Sequence, residues 1–177
     1  MDTLRKDDGL RVSLIAEITA AFKDALRGNG VSLHETNVLD DYGSQSACLE
    51  AREWDTDTHW WELTDKDLYA HHVYLSYLDA ESLRYYLPAY MISCLNGAEQ
   101  SPRGAFQLLA CYEGSDTEAW MRQKWVGFTG EQCRVTCLFL RYMVNHSENR
   151  RDTMRDVKNA QKALRQHWGP FCQDNIP

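Results

Sequence analysis

The sequence predicts a mainly α-helical fold: a single compact domain over residues 1–177, with five or six helices and a long acidic, tryptophan-containing loop segment. Three observations carry this expectation. Apolar residues recur at intervals of three and four in several stretches, helix-capping residues stand at the borders of those stretches, and no run alternates apolar and polar residues firmly enough to mark a strand. With 177 residues, 44% of them hydrophobic, the chain has the material for a real core, and 10 Gly and 4 Pro are too few for a disordered one.

Residues 11–27 (RVSLIAEITAAFKDALR) place Val12, Ile15, Ile18, Phe22 and Leu26 at helical spacing, and Gly28-Asn29-Gly30 ends the run. Residues 31–62 have no clear period; they are acidic, hold Trp54, Trp60 and Trp61, and read as an ordered loop in which Ser46–Glu53 suits a short helix. Thr64 caps the next helix, with Asp65 and Asp67 in the first turn where the dipole favours acids, and the helix runs to about Tyr74. Asp79 caps another, whose face is Leu83, Tyr86, Leu87, Tyr90, Met91 and Cys94. Pro88 removes a backbone donor there and crowds the preceding turn, so a kink is expected near Arg84 to Leu87, and Asn96-Gly97 ends the helix.

Ser101-Pro102 reads as a cap followed by proline in the first turn, leading into AFQLLACY. Residues 113–127 suit a loop or short helix with Trp120 and Trp125. Thr129-Gly130-Glu131-Gln132 is a capping box, and it opens a helix with Val135, Leu138, Phe139 and Tyr142 on its stripe. The last helix spans about Asp152 to Trp168, with Met154, Val157, Leu164 and Trp168 inward, and Gly169-Pro170 closes it.

Charge is unevenly placed. The first hundred residues hold 8 Lys/Arg against 18 Asp/Glu, the remainder 11 against 8, for a net of −7. Between 35 and 67 stand ten acids, with only Arg52 and Lys66 as bases. Such a field repels nucleic acid and anionic membrane and speeds encounter with a basic partner, so neither nucleic acid nor membrane is expected as a partner. No apolar run approaches the ~18 to 20 residues of a membrane span, and MDTLRKDDG lacks the apolar stretch of a secretory signal, so a soluble, cytoplasmic protein is expected. The six cysteines (Cys48, Cys94, Cys111, Cys133, Cys137, Cys172) include no C-x-x-C pair and no zinc-finger histidine. Reduced, buried thiols are expected, with no metal and no cofactor.

Trp60-Trp61, Tyr77-Leu78 and the string Arg84-Tyr85-Tyr86-Leu87-Pro88-Ala89-Tyr90-Met91 resemble a bacterial family of small proteins of unknown function with a YYLPAY signature. Phe128, Glu131-Gln132, Val135 and Phe139-Leu140 match a second segment of that family at slightly compressed spacing, and Ala21-Phe22 and Trp168 complete the likeness. The resemblance supports the fold and implies no activity.

Glu53 to Glu62 is the richest stretch chemically. Asp55, Asp57 and His59 alternate, so an extended backbone sets them on one face as oxygen and nitrogen ligands. A calcium loop of EF-hand type fails: with Asp55 in first position, Trp60 stands where Gly is required and Lys66 where Glu is required. The same residues suit a protein-binding patch, with Trp54, Trp60 and Trp61 as anchors among Asp40, Asp41, Glu53, Asp55, Asp57, His59 and Glu62. The competing reading packs the tryptophans into the core.

His71 and His72 point about 100° apart on a helix, one inward and one to solvent, and make no i, i+4 metal pair. No Gly-rich phosphate loop and no G-x-S-x-G elbow occurs. Tyr85, Tyr86 and Tyr90 either line a ligand pocket where Pro88 opens the helix or fill a core. Arg151, Arg155, Lys158, Lys162 and Arg165 form a basic stripe, either solvated or paired with the acidic 35–67 region.

These features point to a non-catalytic protein-binding module with a basic partner, in concrete form an immunity-type protein that neutralises a bacterial toxin through its acidic surface. The alternative is a small-molecule-binding protein or enzyme with a Tyr/His-lined pocket at the Pro88 kink. A homodimer with Trp and Tyr at its interface is a third arrangement.

Overall fold

A computed structural model of the chain describes residues 2–97, 104–109, 115–146 and 154–172. In chain order its helices are α1 (Asp2–Phe22), α2 (Leu33–Asp40), α3 (Gln45–Arg52), α4 (Asp65–His71), α5 (Ala80–Asn96), α6 (Gly104–Leu109), α7 (Ser115–Lys124), α8 (Gly130–Asn145) and α9 (Met154–Ala163). Short 3-10 turns lie at Trp60–Glu62, Leu75–Tyr77 and Gly169–Cys172, and a π turn at Leu164–Trp168. The described residues contain no strand, and among them the helices exceed the five or six expected. The expected Ser101-Pro102 cap, Cys111, Arg151 and Asp152 lie outside the described residues, as do the side chains of Met154 and Arg155.

Residues 31–62 are not a long loop: they hold α2, which was not expected, and α3, which is the short helix expected at Ser46–Glu53. Ser32 and Glu35 open α2, the Glu35 carboxylate accepting from the Ser32 backbone N–H at 2.6 Å. Ser44 opens α3, its hydroxyl accepting from Ala47 N–H at 3.2 Å. Neither helix announces itself by apolar period, because α3 has no buried residue and α2 buries Glu35 and Thr36 beside Leu33.

The chain's contacts divide it into two compact units, residues 25–127 and the two chain ends, 1–24 with 128–177. In the unit formed by the ends, α8 packs against α1 and α9. Helix α1 starts before residue 11 and ends at Phe22, and it turns Leu14, Ile18 and Phe22 inward; Val12 and Leu26 of the expected stripe are exposed. The Thr129–Gln132 capping box forms as expected, with bonds of 3.0 and 3.1 Å, and Val135, Phe139 and Tyr142 are buried. Gln132 also donates to the Ala21 carbonyl at 3.1 Å, satisfying an orphan acceptor in the last turn of α1. Trp168 is fully buried as expected, its ring 6.1 Å from Phe128, which packs edge-on to Phe22 at 5.9 Å.

One expectation about cysteine is overturned. Cys137 and Cys172 are disulfide-bonded, with Cα atoms 5.4 Å apart; Cys48, Cys94 and Cys133 are thiols outside any disulfide. The pairing is invisible in sequence because the π turn and the 3-10 turn after α9 carry Cys172 back to the middle of α8, 35 residues from its partner.

In the unit of residues 25–127, α5 is the central element. Its expected face is buried, but so are Tyr85, Pro88 and Ala89, because α4, α6, α7 and the Trp60–Glu62 turn all pack on it. The helix runs through Pro88 and ends at Gly97, whose φ of 67° is the left-handed C-terminal stop. At its other end Gly30 lies so close that a Cβ would sit 2.4 Å from the Ser82 hydroxyl.

Closing a 35-residue separation removes unfolded-state entropy worth about 4 kcal/mol in the chain-entropy treatment. Cys172→Ser, or reduction of the wild type, is therefore expected to lower the thermal midpoint of unfolding, and adding reductant to the variant should change nothing further. A variant as stable as the oxidised wild type would show that the bond contributes nothing.

Candidate functional site

The residues singled out between 53 and 62 do not share one fate. Asp55 and Asp57 turn inward, with side chains only 5% and 9% exposed. A buried carboxylate needs donors or a cation, and each has them. Asp55 accepts from the backbone N–H of His34 at 3.0 Å and pairs with His34 Nδ1 at 2.9 Å. Asp57 accepts from the Tyr85 hydroxyl at 2.7 Å and lies 3.8 Å from Arg27, which donates to the Asp55 backbone carbonyl at 3.0 Å. Arg27 also donates to the Tyr86 hydroxyl at 3.1 Å.

His59 is separate from this group. It bonds Thr58 and Glu62 and stacks on Trp61 at 4.4 Å, so the three alternating residues do not converge on one ligand. Trp60 is buried; Trp61 is half exposed and Trp54 is 76% exposed. Asp40, Asp41, Glu53 and Glu62 are exposed, Asp40 accepting from the Tyr77 hydroxyl at 3.1 Å.

The three signature tyrosines are wholly buried. Burial and then the Asp57 bond push the Tyr85 phenol above its ordinary range; burial pushes Tyr86 and Tyr90 the same way. All three stay protonated near neutrality, and Tyr90 donates to the Leu68 carbonyl at 3.0 Å.

Above this layer a cleft of about 210 Å³ opens, lined by Leu33, His34, Trp54, Asp55, Thr56, Asp57, Glu62, Leu63, Asp67 and His71. Each histidine is fixed by its neighbours. His34 sits in the first turn of α2, held by Asp55. His71 ends α4, is 5% exposed, and places Nδ1 3.1 Å from Asn37 Oδ1. The two rings meet edge to face at 4.5 Å. Burial holds the His71 imidazole below its ordinary pKa, and His34 adds to this, while Asp55 and Asp67 oppose it. His72 is more exposed and stacks on Tyr69, so the adjacent histidines divide as expected.

Asp67 closes the cleft from the first turn of α4. Burial works against its charge, but bonds from the Thr64 hydroxyl and N–H, at 2.6 and 3.0 Å, hold it below the ordinary carboxylate range. Among the described residues no group of three or more His, Cys, Asp or Glu is arranged to hold a metal ion.

Sequence reasoning missed Arg27 and His34. No spacing rule ties position 34 to position 55; the only signal was an unexplained polar residue beside the α2 cap. A second cavity of about 250 Å³ lies among Val73, Leu75, Ser76, Leu108, Trp120, Met121 and Lys124. Burial pushes Lys124 down to about 8; its ammonium donates to the Ser76 carbonyl at 2.6 Å and lies 3.5 Å from the Trp120 ring centroid.

The chain belongs to DUF6714, a family of unknown function whose model matches residues 10–171. No curated protein and no solved structure matches it.

Because folding lowers the proton affinity of His71, the unfolded chain binds that proton more tightly. The stability linked to it is complete above the unfolded value near 6.5 and is lost as pH falls below that value. The midpoint of wild-type unfolding should therefore drop more between about pH 7 and about pH 5.5 than that of His71→Gln. Equal drops would assign the effect elsewhere. Tyr85→Phe leaves the Asp57 carboxylate short of a donor and is expected to cost about 1–3 kcal/mol in urea unfolding; a neutral substitution would mean that water or Arg27 replaces the hydroxyl.

Proposed function

We propose that this DUF6714 member is a non-catalytic protein-binding module whose partner presents a basic surface. The observation that supports it is the coexistence of exposed aromatic side chains and exposed acids on residues 40–69. Seven of the ten acids between 35 and 67 are exposed, with Lys66 the sole exposed base in that span. Glu35, Asp55 and Asp57 are matched internally by Arg52, His34 and Arg27. Trp54, Trp61, Tyr42 and Tyr69 stand in water within that field. Large aromatic rings left exposed among charges are the usual anchors of an interface, with the charges steering encounter.

Tyr42 adds a backbone argument. It is 94% exposed and has a φ of 55°, a left-handed conformation that bulky side chains rarely adopt. The ring so presented is not part of the buried core, and strain held at an exposed aromatic supports a role in contact with another molecule.

In its concrete form the module is an immunity-type protein of a bacterial cytoplasm that covers the basic cleft of a toxin. The YYLPAY residues, Tyr85–Tyr90, then serve the scaffold beneath the surface and mark the family's fold. No described helix is long and apolar enough to cross a membrane.

A second reading, an enzyme or small-molecule binder, is favoured by one observation. The Asp55–His34 pair orients an imidazole toward a cleft, the arrangement a general base requires.

The discriminating experiment is capture from host lysate at low and at ~0.5 M salt, where screening shortens the reach of an acidic surface. A stoichiometric basic protein is expected at low salt and absent at high salt, with binding at least ~30-fold weaker for Trp54→Ala/Trp61→Ala. No partner at either salt would favour the cleft chemistry, and self-association in sedimentation would favour a homodimer. Charge reversal at Asp55 or Asp57 is unsuitable, since both are matched inside the fold.

A further inference from the structure

We propose that the cleft between His34, Trp54, Asp67 and His71 receives the guanidinium of an arginine side chain from the partner protein; this rests on the protein-binding reading above. Its volume of about 210 Å³ suits one long side chain rather than a folded element. Four of its lining residues, Asp55, Asp57, Glu62 and Asp67, are carboxylates, and none is Lys or Arg. Arg27 offsets Asp57 from below and His34 pairs with Asp55, so the cleft's negative charge comes from Glu62 and Asp67. An anionic ligand is thereby excluded and a cation is focused into it.

The histidines narrow the choice of cation. His34 directs Nδ1 to Asp55 and His71 directs Nδ1 to Asn37. Burial favours the neutral His71 imidazole, and with its proton on Nδ1 toward Asn37 the Nε2 is an acceptor without a partner among the described residues. His71 is more than nine-tenths buried yet lines the cleft, so its Nε2 is available to a ligand N–H.

The His71 nitrogen and the exposed Glu62 and Asp67 carboxylates, spread over several directions, match a planar group with five N–H donors better than a compact ammonium. Trp54 supplies the remaining element. Its indole lines the cleft while lying mostly in water, which offers a face on which a guanidinium stacks. A metal ion is not served by this set, since no three ligating side chains converge.

The probe is Nα-acetyl-L-arginine methylamide, titrated at low salt and followed by NMR at the Trp54 indole N–H and the His34 and His71 ring signals. Saturable shifts at all three are expected, with the corresponding lysine derivative about tenfold weaker. Trp54→Ala, which removes an exposed side chain and leaves the core untouched, and Glu62→Gln should each weaken binding severalfold while the far-ultraviolet spectrum stays unchanged. Equal affinity for the lysine derivative, or binding unaltered in Trp54→Ala, overturns the assignment, as does absence of shifts. If a basic partner is captured as above but the arginine derivative leaves these signals unmoved, the arginine assignment fails alone. A derivative that binds where no protein partner is captured keeps the guanidinium site and removes the protein as its source.

Discussion

Two carboxylates that cannot face water without unravelling their surroundings organise residues 25–127. Asp55 and Asp57 lie on the connection between α3 and the Trp60–Glu62 turn, and both point into the protein. A buried, unmatched carboxylate costs several kcal/mol, so each must find donors. Those donors come from the start of α2, from α5 and from the segment after α1. One electrostatic requirement therefore ties three distant stretches of chain to one another. It also determines which side chains are left facing outward.

The unit formed by the chain ends is held by different forces. Its centre is apolar, with Phe22, Phe128 and Trp168 in ring contact, and its margins are polar. Arg134 reaches Glu17 and Glu131, each at 2.7 Å, and the guanidinium is raised above its ordinary value by those two bonds, Glu131 first. These groups are partly exposed, so their contribution is modest. The covalent link from Cys137 to Cys172 closes the last turns over α8.

The division of the acids between inward and outward roles gives the proposed interface its shape. Sequence alone presents 35–67 as one uniformly acidic segment. In the fold, three of its acids are structural, and those that remain surround exposed aromatic rings and a small acceptor-rich cleft. In the proposed reading the exposed rings are the anchors, the outward acids supply the charge field, and the imidazoles lie beneath them in the cleft.

What the sequence determined is local. The caps at Thr64, Asp79 and Thr129 and the stop at Gly97 lie where the residues placed them, because capping is settled within one turn of the chain. The apolar face of α5 was legible for the same reason, as was the inward turn of Trp168. Helix α3 was legible only as a short helix near Ser46–Glu53, and α2 was not legible, since a helix whose buried residues are Leu33, Glu35 and Thr36 has no apolar period to display. Tertiary structure alone decided that α5 is buried all round, that Cys137 meets Cys172, and that His34 meets Asp55 and His71. Each of these depends on which segments pack together across 21 to 37 residues or more, and such long-range meeting leaves no spacing in the chain for a reader to find.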